Sequence, residues 1–377
     1  MATLSEKVKL FRGLVDGEVA RRGPFTVLVD ITRRCNLHCI GCRYHSTEVH
    51  MPSPTDQSIM DISVDLFTKL CHELVTMGTR EIILTGEGEP FFHPRIFDII
   101  AIAKQTGFRI QAFTNGTPFN EPRLQTLIDS GLDNLMVSLW AGTYEGYRKN
   151  YPQDDPENFN RIVAALKRLS QLKAEQKRTL PWVVLYYTIY RNNFQEVTTL
   201  VDLASATQSN KVNFSLLKTR RGVLDSYVLA PDEERALVDD LTAMGSRLDA
   251  RSIDHNIPRT LQRYQIGERV WEKLPCYVGW VQAHVKVDGT VFPCHPCDLP
   301  MGNAAEDTFG EIWNGPAFRA FRRQTITREG LAAMGQHCDC SFCRHVEDNI
   351  RIHRLFRWFA PLFAGKNEEG TSPEPVS

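Results

Sequence analysis

The chain has 377 residues, 42% hydrophobic and 24% charged, proportions that exclude a mostly disordered, fibrous or membrane-embedded protein. Its 44 Lys and Arg against 45 Asp and Glu leave a net charge of -1, so no overall electrostatic bias selects nucleic acid as a partner. No apolar run approaches the roughly 18 residues of a spanning helix. The N-terminus lacks the charged-then-apolar order of a secretion signal, and the expected location is cytoplasmic.

Residues 1–24 read as a helical extension. From residue 25 to 230, short β-branched and aromatic runs alternate with stretches of helical period, the pattern of βα units around a parallel sheet. The strands are expected at 25–31, 80–85, 109–114, 134–140, 182–190 and 212–217. Between the first two, Leu66, Phe67, Leu70, Cys71, Leu74 and Val75 repeat at three and four, with Gly78 as a stop, which predicts an amphipathic helix with Cys71 in the core. A later helix is expected to open at Asp155 as N-cap with Pro156 in its first turn. Six such units predict an α/β fold, a partial (βα)6 barrel of the TIM type, whose chemistry belongs at the C-terminal ends of the strands. Residues 231–270 read as a helical linker and 271–348 as a small cysteine-rich domain. The tail, 349–377, begins with an amphipathic basic stretch and ends in a frayed segment rich in Glu, Gly, Pro and Ser.

Ten cysteines in a cytosolic chain read as metal or cluster ligands sooner than as disulfides. Cys35, Cys39 and Cys42 follow the first strand in a C-x3-C-x2-C spacing, close enough to hold three corners of an iron-sulfur cube and leave one iron open. A zinc ion with His38 or His45 as fourth ligand satisfies the same spacing. The second strand runs into Gly86-Glu87-Gly88-Glu89-Pro90, where glycines permit close backbone approach and Glu89 can accept hydrogen bonds from an amine.

The loop Cys-Asn-Leu-His-Cys-Ile-Gly-Cys resembles the cluster loop of the radical S-adenosylmethionine (radical SAM) superfamily, and the glycine motif resembles its Gly-Gly-Glu-Pro element. The resemblance implies a [4Fe-4S] cluster on Cys35, Cys39 and Cys42, with the methionine moiety of S-adenosylmethionine on its open iron. It implies reductive cleavage to a 5′-deoxyadenosyl radical that takes hydrogen from a C–H bond. Gly86, Gly88, Glu89, Asn115, Ser138, Asn192 and Leu217 stand where similar enzymes contact the cofactor. One departure is Gly41, since the residue before the third cysteine is usually aromatic and contacts adenine.

Cys276-x12-Gly289-x4-Cys294 resembles the opening of the SPASM domain or its shorter relative, the twitch domain, with Asp288-Gly289-Thr290 as a hairpin turn. The resemblance implies one auxiliary [4Fe-4S] cluster held by Cys276, Cys294, Cys340 and Cys343, with Cys338 an alternative to Cys340. Cys297 is then spare, a candidate hydrogen donor to a substrate radical as in similar epimerases. A zinc ribbon is the rival for this block.

These features predict an oxidoreductase or epimerase supplied with electrons by a flavodoxin or ferredoxin. No leader-binding module precedes the first strand, which inclines the reading to a small molecule, a sugar or natural product. A peptide- or protein-modifying maturase is the alternative, and a zinc-binding scaffold the alternative from another class. Trp140, Tyr144, Tyr147, Arg148 and Tyr151 form an aromatic and basic stretch suited to stacking on a substrate or to packing. The helix expected at 350–363, with Arg351, Arg354 and Arg357 among Leu355, Phe356, Trp358 and Phe359, suits either peripheral membrane contact or docking on its own domain.

Overall fold

A computed structural model describes residues 3–49, 55–217, 222–266, 274–338, 340, 343 and 345–363. Helix α1 (Leu4–Asp16) is opened by a capping box of Thr3 with Glu6 and closed at Gly17. The alternation then begins: β1 (Thr26–Asp30), α2 (Val64–Thr76), β2 (Glu81–Thr85), α3 (Ile96–Thr106), β3 (Arg109–Thr114), α4 (Glu121–Asp129) and β4 (Asn134–Ser138). It continues through α5 (Tyr144–Asn150), α6 (Glu157–Glu175), β5 (Trp182–Ile189), α7 (Leu200–Ala206) and β6 (Lys211–Leu216). Each strand pairs in parallel with the next, from Val27↔Ile82 to Leu185↔Val212. These are the six strands read from the sequence, with ends displaced by a residue or two.

The helices form because an apolar stripe has a sheet to cover, and in several of them a polar side chain caps the N-terminal end. In α2 the stripe is Phe67, Leu70, Cys71 and Leu74, all buried, and Ser63 accepts from Leu66 N–H. Asn120 and Thr143 cap α4 and α5 in the same way. The expected cap at Asp155 is shifted by one residue: Pro156 occupies the N-cap position, and Asp155 accepts from Glu157 N–H at 3.0 Å. Pro156 lacks a donor, so the acidic side chain ahead of it satisfies the first free N–H.

After α8 (Pro231–Asp249) the chain adds a short seventh strand, β7 (Asp254–His255), beside β6, then α9 (Ile257–Ile266). The boundary read near residue 271 lies outside the described residues. The cysteine-rich segment then returns to the opposite edge of the same sheet. Its first strand, β8 (Gln282–Val285), pairs in parallel with β1, Thr26↔Gln282 through Val29↔Val285, and antiparallel with β9 (Thr290–Phe292). The turn is the expected one, with Gly289 at φ +88, where a side chain would be strained. A two-residue β10 (Gly302–Asn303) completes the order β10-β9-β8-β1-β2-β3-β4-β5-β6-β7. Among the described residues the two terminal strands, β10 and β7, do not pair with each other, so the barrel is open.

Short helices α10 (Phe309–Trp313), α11 (Pro316–Thr325) and α12 (Arg328–Ala333) follow, and α13 (Val346–Phe363) closes the described chain. Helix α13 docks on the body of the protein: Tyr277 Oη lies 2.7 Å from His353 Nδ1, and Phe356 packs against the Tyr277 ring. Leu355 and Trp358 remain exposed. The side chains of Arg357 and Phe359 lie outside the described residues. Among those described, no helix is long and apolar enough to cross a membrane.

Candidate active site

The cysteine loop leaves β1 directly after Asp30. Its thiols face one another: burial pushes Cys35 up to about 11, with Glu89 and Cys42 adding repulsion, and Cys39 is raised by burial and then by Cys42 and Cys35. Backbone donors are aimed at the sulfurs. Tyr44 N–H and His45 N–H lie 3.4 and 3.3 Å from Cys42 Sγ, and Leu37 and Asn36 N–H groups serve Cys35. Buried, mutually repelling thiols with N–H donors suit a cation that replaces their protons, so this donor set fits three iron corners of a cluster. One of the two histidines named as zinc ligands is engaged elsewhere: His38 Nδ1 lies 3.2 Å from Asp154 Oδ1.

The Gly86–Pro90 motif lies against this loop. Gly88 N–H donates to Thr32 O at 2.9 Å and Glu89 N–H to Arg34 O at 2.7 Å. A Cβ on Gly86 would stand 2.8 Å from Thr32 O. The two glycines, expected to admit a ligand, thus admit the backbone of the cysteine loop itself. Glu89 is buried and accepts from Asn115 N–H at 2.5 Å and Phe91 N–H at 3.1 Å. Desolvation pushes its carboxyl up to about 7, against the downward pull of those donors. Asn115 Nδ2 in turn donates to Asn36 Oδ1 at 2.9 Å, tying the end of β3 to the cysteine loop.

Inside the barrel is a cavity of about 480 Å³, within the range of small-molecule sites. Alternate residues of each strand point into it, Gln111 and Phe113, Tyr186 and Thr188, Asn213 and Ser215. Ser138, Leu217, Gly41 and Trp140 line it as well. Gly41 explains its own departure from the aromatic habit: a Cβ there would lie 2.4 Å from Leu217 Cδ1 and 3.4 Å from Trp140 Cη2. Trp140, its Nε1 donating to Ser138 Oγ at 3.2 Å, fills that space instead. Tyr147 and Tyr151 are buried and stacked at 4.2 Å, so that part of the aromatic stretch is packing.

Asn192 is not among the lining residues. Its neighbour Asn193, fully buried, shapes this turn by accepting from Tyr190 N–H and donating to Thr188 O, both at 2.9 Å. The open side of the barrel is covered by α9 and the C-terminal segment, which bring Arg259, Gln262, Arg263, His295 and Cys343 into the wall. Sequence reading missed all of these except Cys343. The available signal was the spacing of 259, 262 and 263, one face of a helix.

In the C-terminal segment, Cys276 is buried and its thiol is raised by burial, then by repulsion from Cys343 and Cys340. His345 N–H donates to Cys343 Sγ at 3.3 Å. Cys294 is buried just after β9. Cys297 is paired with Cys338 in a disulfide across a β-bridge, so a thiol donor exists at Cys297 only when that pair is reduced. Cys71 is buried in α2, as expected.

Comparison with known proteins agrees with this geometry. Residues 29–204 match the Radical SAM superfamily and residues 276–345 match SPASM, the iron-sulfur cluster-binding domain. The PqqA peptide cyclase of Gluconobacter oxydans (strain 621H) is 23% identical over 79% of this chain and 79% of its own length. The AdoMet-dependent heme synthase of Methanosarcina barkeri (strain Fusaro / DSM 804) is 26% identical over 79% of this chain and 85% of its own. In fold, Streptococcus suis SuiB bound to S-adenosylmethionine aligns with a TM-score of 0.61 at 12% identity, covering 81% of this chain and 71% of SuiB. The cofactors are S-adenosylmethionine, a [4Fe-4S] cluster and an auxiliary [4Fe-4S] cluster, and the zinc alternatives fall away. The chain thus carries a radical SAM domain at residues 29–204 and a SPASM domain at residues 276–345.

Proposed function

We propose that this radical SAM enzyme modifies a peptide or protein, by oxidation or cross-linking at a C–H bond. The observation that carries the reading is the run of relatives named PqqA peptide cyclase, 23% to 27% identical over 79% of this chain. SuiB, solved with its precursor peptide SuiA, adds a likeness of fold. This replaces the small-molecule expectation as the first reading.

When bound, S-adenosylmethionine and the reduced cluster supply hydrogen-atom abstraction by a 5′-deoxyadenosyl radical. The residues of the chain do the rest. Cys35, Cys39 and Cys42 hold the cluster, Glu89 offers a buried acceptor, and Ser138, Trp140 and Leu217 shape the cofactor's side of the cavity. The apolar wall of Leu28, Ile83, Phe113 and Met136 excludes water from a site where a radical must survive. Arg259 and Arg263 bring positive charge to a described lining that holds no Asp or Glu, with Arg259 also facing Asp348 outside it, and this suits an acidic group on the substrate. Electrons come from a flavodoxin or ferredoxin in this reading. A non-peptide substrate is the second reading, favoured by the heme synthase relative.

The test is anaerobic incubation of the reconstituted enzyme with S-adenosylmethionine, dithionite and a synthetic candidate peptide. Formation of 5′-deoxyadenosine together with loss of two hydrogens from the peptide is expected. 5′-Deoxyadenosine without any change in the peptide, but with change in a co-purified small molecule, would favour the second reading. Cys297→Ala separates outcomes: if its reduced thiol returns hydrogen, solvent deuterium enters the wild-type product and not the variant's, while cofactor cleavage persists.

A further inference from the structure

We propose that Lys286 is a positioning residue for the S-adenosylmethionine site, a buried ammonium from the iron-sulfur module that fastens three segments of the catalytic barrel. The residue follows β8, in the segment matched by SPASM, and its side chain points across the sheet into the other domain. Its Nζ lies 2.8 Å from Asp30 Oδ2, 3.2 Å from Glu87 Oε1 and 2.7 Å from Tyr44 Oη. All three partners belong to the segment matched by the radical SAM family.

Each partner sits at a part of the cofactor site. Asp30 ends β1 and launches the cysteine loop. Tyr44 follows Cys42 and gives its backbone N–H to the Cys42 sulfur. Glu87 lies between Gly86 and Gly88, ahead of Glu89, and is clamped from its far side by Arg33 Nε at 2.5 Å. Asp30 has a second partner from the module, His284 Nε2 at 3.0 Å. The ammonium therefore touches the start of the cysteine loop, its end, and the glycine motif.

The linkage is stiff. Asp30, Glu87, His284 and Lys286 are each 5% exposed or less, so their attractions are little screened by water. Backbone pairing of β8 with β1 sets the origin of the side chain, and Lys286 N–H donates to Thr290 O at 2.9 Å. Arg43 and Asp298, at 2.5 and 3.1 Å, tie the cysteine loop to the module a second time. A neutral side chain at 286 leaves the Asp30 and Glu87 carboxylates buried with less opposing charge, a state relieved by movement of the loops that bear them. The module thus does more than carry a cluster: part of the cofactor site is built from it, whichever substrate is modified.

The experiment uses the full chain with both clusters reconstituted, as wild type, Lys286→Gln, Lys286→Arg and the double variant Asp30→Asn/Lys286→Gln. Iron, sulfide and Tm report integrity. The Kd for S-adenosylmethionine, the change in the EPR spectrum of the reduced cluster on adding it, and the split between KM and kcat for its cleavage report position. Lys286→Gln is expected to keep its iron, to bind S-adenosylmethionine at least about tenfold more weakly, and to show a diminished spectral change, with KM raised more than kcat falls. Lys286→Arg restores part of the affinity. A folded, iron-replete Lys286→Gln protein with wild-type Kd and spectral response overturns the proposal. If the single variant does not fold, the charge-balanced double variant is read by the same criteria, and its failure to fold overturns the proposal too, since the lysine would then serve assembly alone.

Discussion

Gly88 lies so close to the main chain of Arg34 that a methyl group on its α-carbon would stand 2.2 Å from the Arg34 carbonyl oxygen, with Arg33 C at 2.5 Å. Both neighbours are backbone, so no rotamer change relieves the clash. Gly88→Ala is expected to push the glycine motif off the cysteine loop, break the 2.9 Å bond from Gly88 N–H to Thr32 O, and destabilise the fold by about 1–3 kcal/mol. Thermal unfolding of the iron-loaded protein checks the first effect and S-adenosylmethionine titration the second. An unaltered Tm would show that the loop can yield.

Gly41 presents the milder case, because the atom nearest its missing Cβ, Leu217 Cδ1, belongs to a flexible side chain. Gly41→Ala is expected to bind the cofactor nearly normally after Leu217 turns. Gly41→Phe is expected to bind poorly, since its ring needs the space of both Leu217 and Trp140. The double variant Gly41→Phe/Leu217→Ala exchanges the volumes and should recover much of the lost affinity. Coupling between the two sites, measured as the departure from additive Kd changes, checks it.

The contrast between these glycines and the rest of the site shows what a sequence can and cannot reveal. The six strands of the barrel were legible because a buried parallel strand is a local run of β-branched and aromatic residues. The cysteine loop was legible because three thiolates at fixed spacing are a local chemical statement. The pairing of β8 with β1 was not, since nothing in Gln282–Val285 distinguishes a hairpin strand from one that also extends a distant sheet edge. Lys286 and Asp30 are 256 residues apart and meet only through that pairing. Asn192 and Asn193 are chemically identical, and only the turn decides that the second is buried and bonded.

Glu89 sets a pH dependence opposite to that of most carboxylates. Its pKa is raised from 4.5 to about 7, so between those values the folded chain keeps a proton that the unfolded chain has released. Stability from this group is greatest below about pH 4.5, falls as pH rises through the window and is level above it, a total change on the order of 3 kcal/mol. Glu89→Gln removes the dependence. Denaturant unfolding of the cluster-free protein on both sides of the window, wild type against variant, checks it. Equal slopes in the two proteins would refute the assignment.

In the proposed reading the cysteines divide into iron ligands, the Cys297–Cys338 pair and the packed Cys71. Cys39→Ala is expected to lower iron from about eight to about four per chain and to abolish 5′-deoxyadenosine formation, while the auxiliary cluster persists. Cys71, fully buried on the apolar face of α2, is the control. Cys71→Ala should retain all the iron and full cofactor cleavage, with a cost of roughly 1 kcal/mol from the lost sulfur contacts. Iron and sulfide analysis beside a product assay distinguishes the two.

The two arginines on α9 give the substrate reading its sharpest consequence. Asn256 fixes the start of the helix on β6, accepting from Phe214 N–H at 2.7 Å and donating to Phe214 O at 2.8 Å, so the guanidinium groups enter the cavity from a rigid support. Arg259 is near Asp348, whose carboxyl it helps to hold down, so part of its charge is already answered. Arg259→Gln and Arg263→Gln should each weaken an acidic substrate, by roughly ten- to a hundredfold in KM for the loss of a charged hydrogen bond. Cleavage of S-adenosylmethionine without substrate should continue in both. The decisive comparison uses peptide pairs that differ only by Glu or Gln near the modified residue. Wild type should prefer the acid and Arg263→Gln should lose the preference, whereas equal discrimination by both proteins would place the acidic group elsewhere.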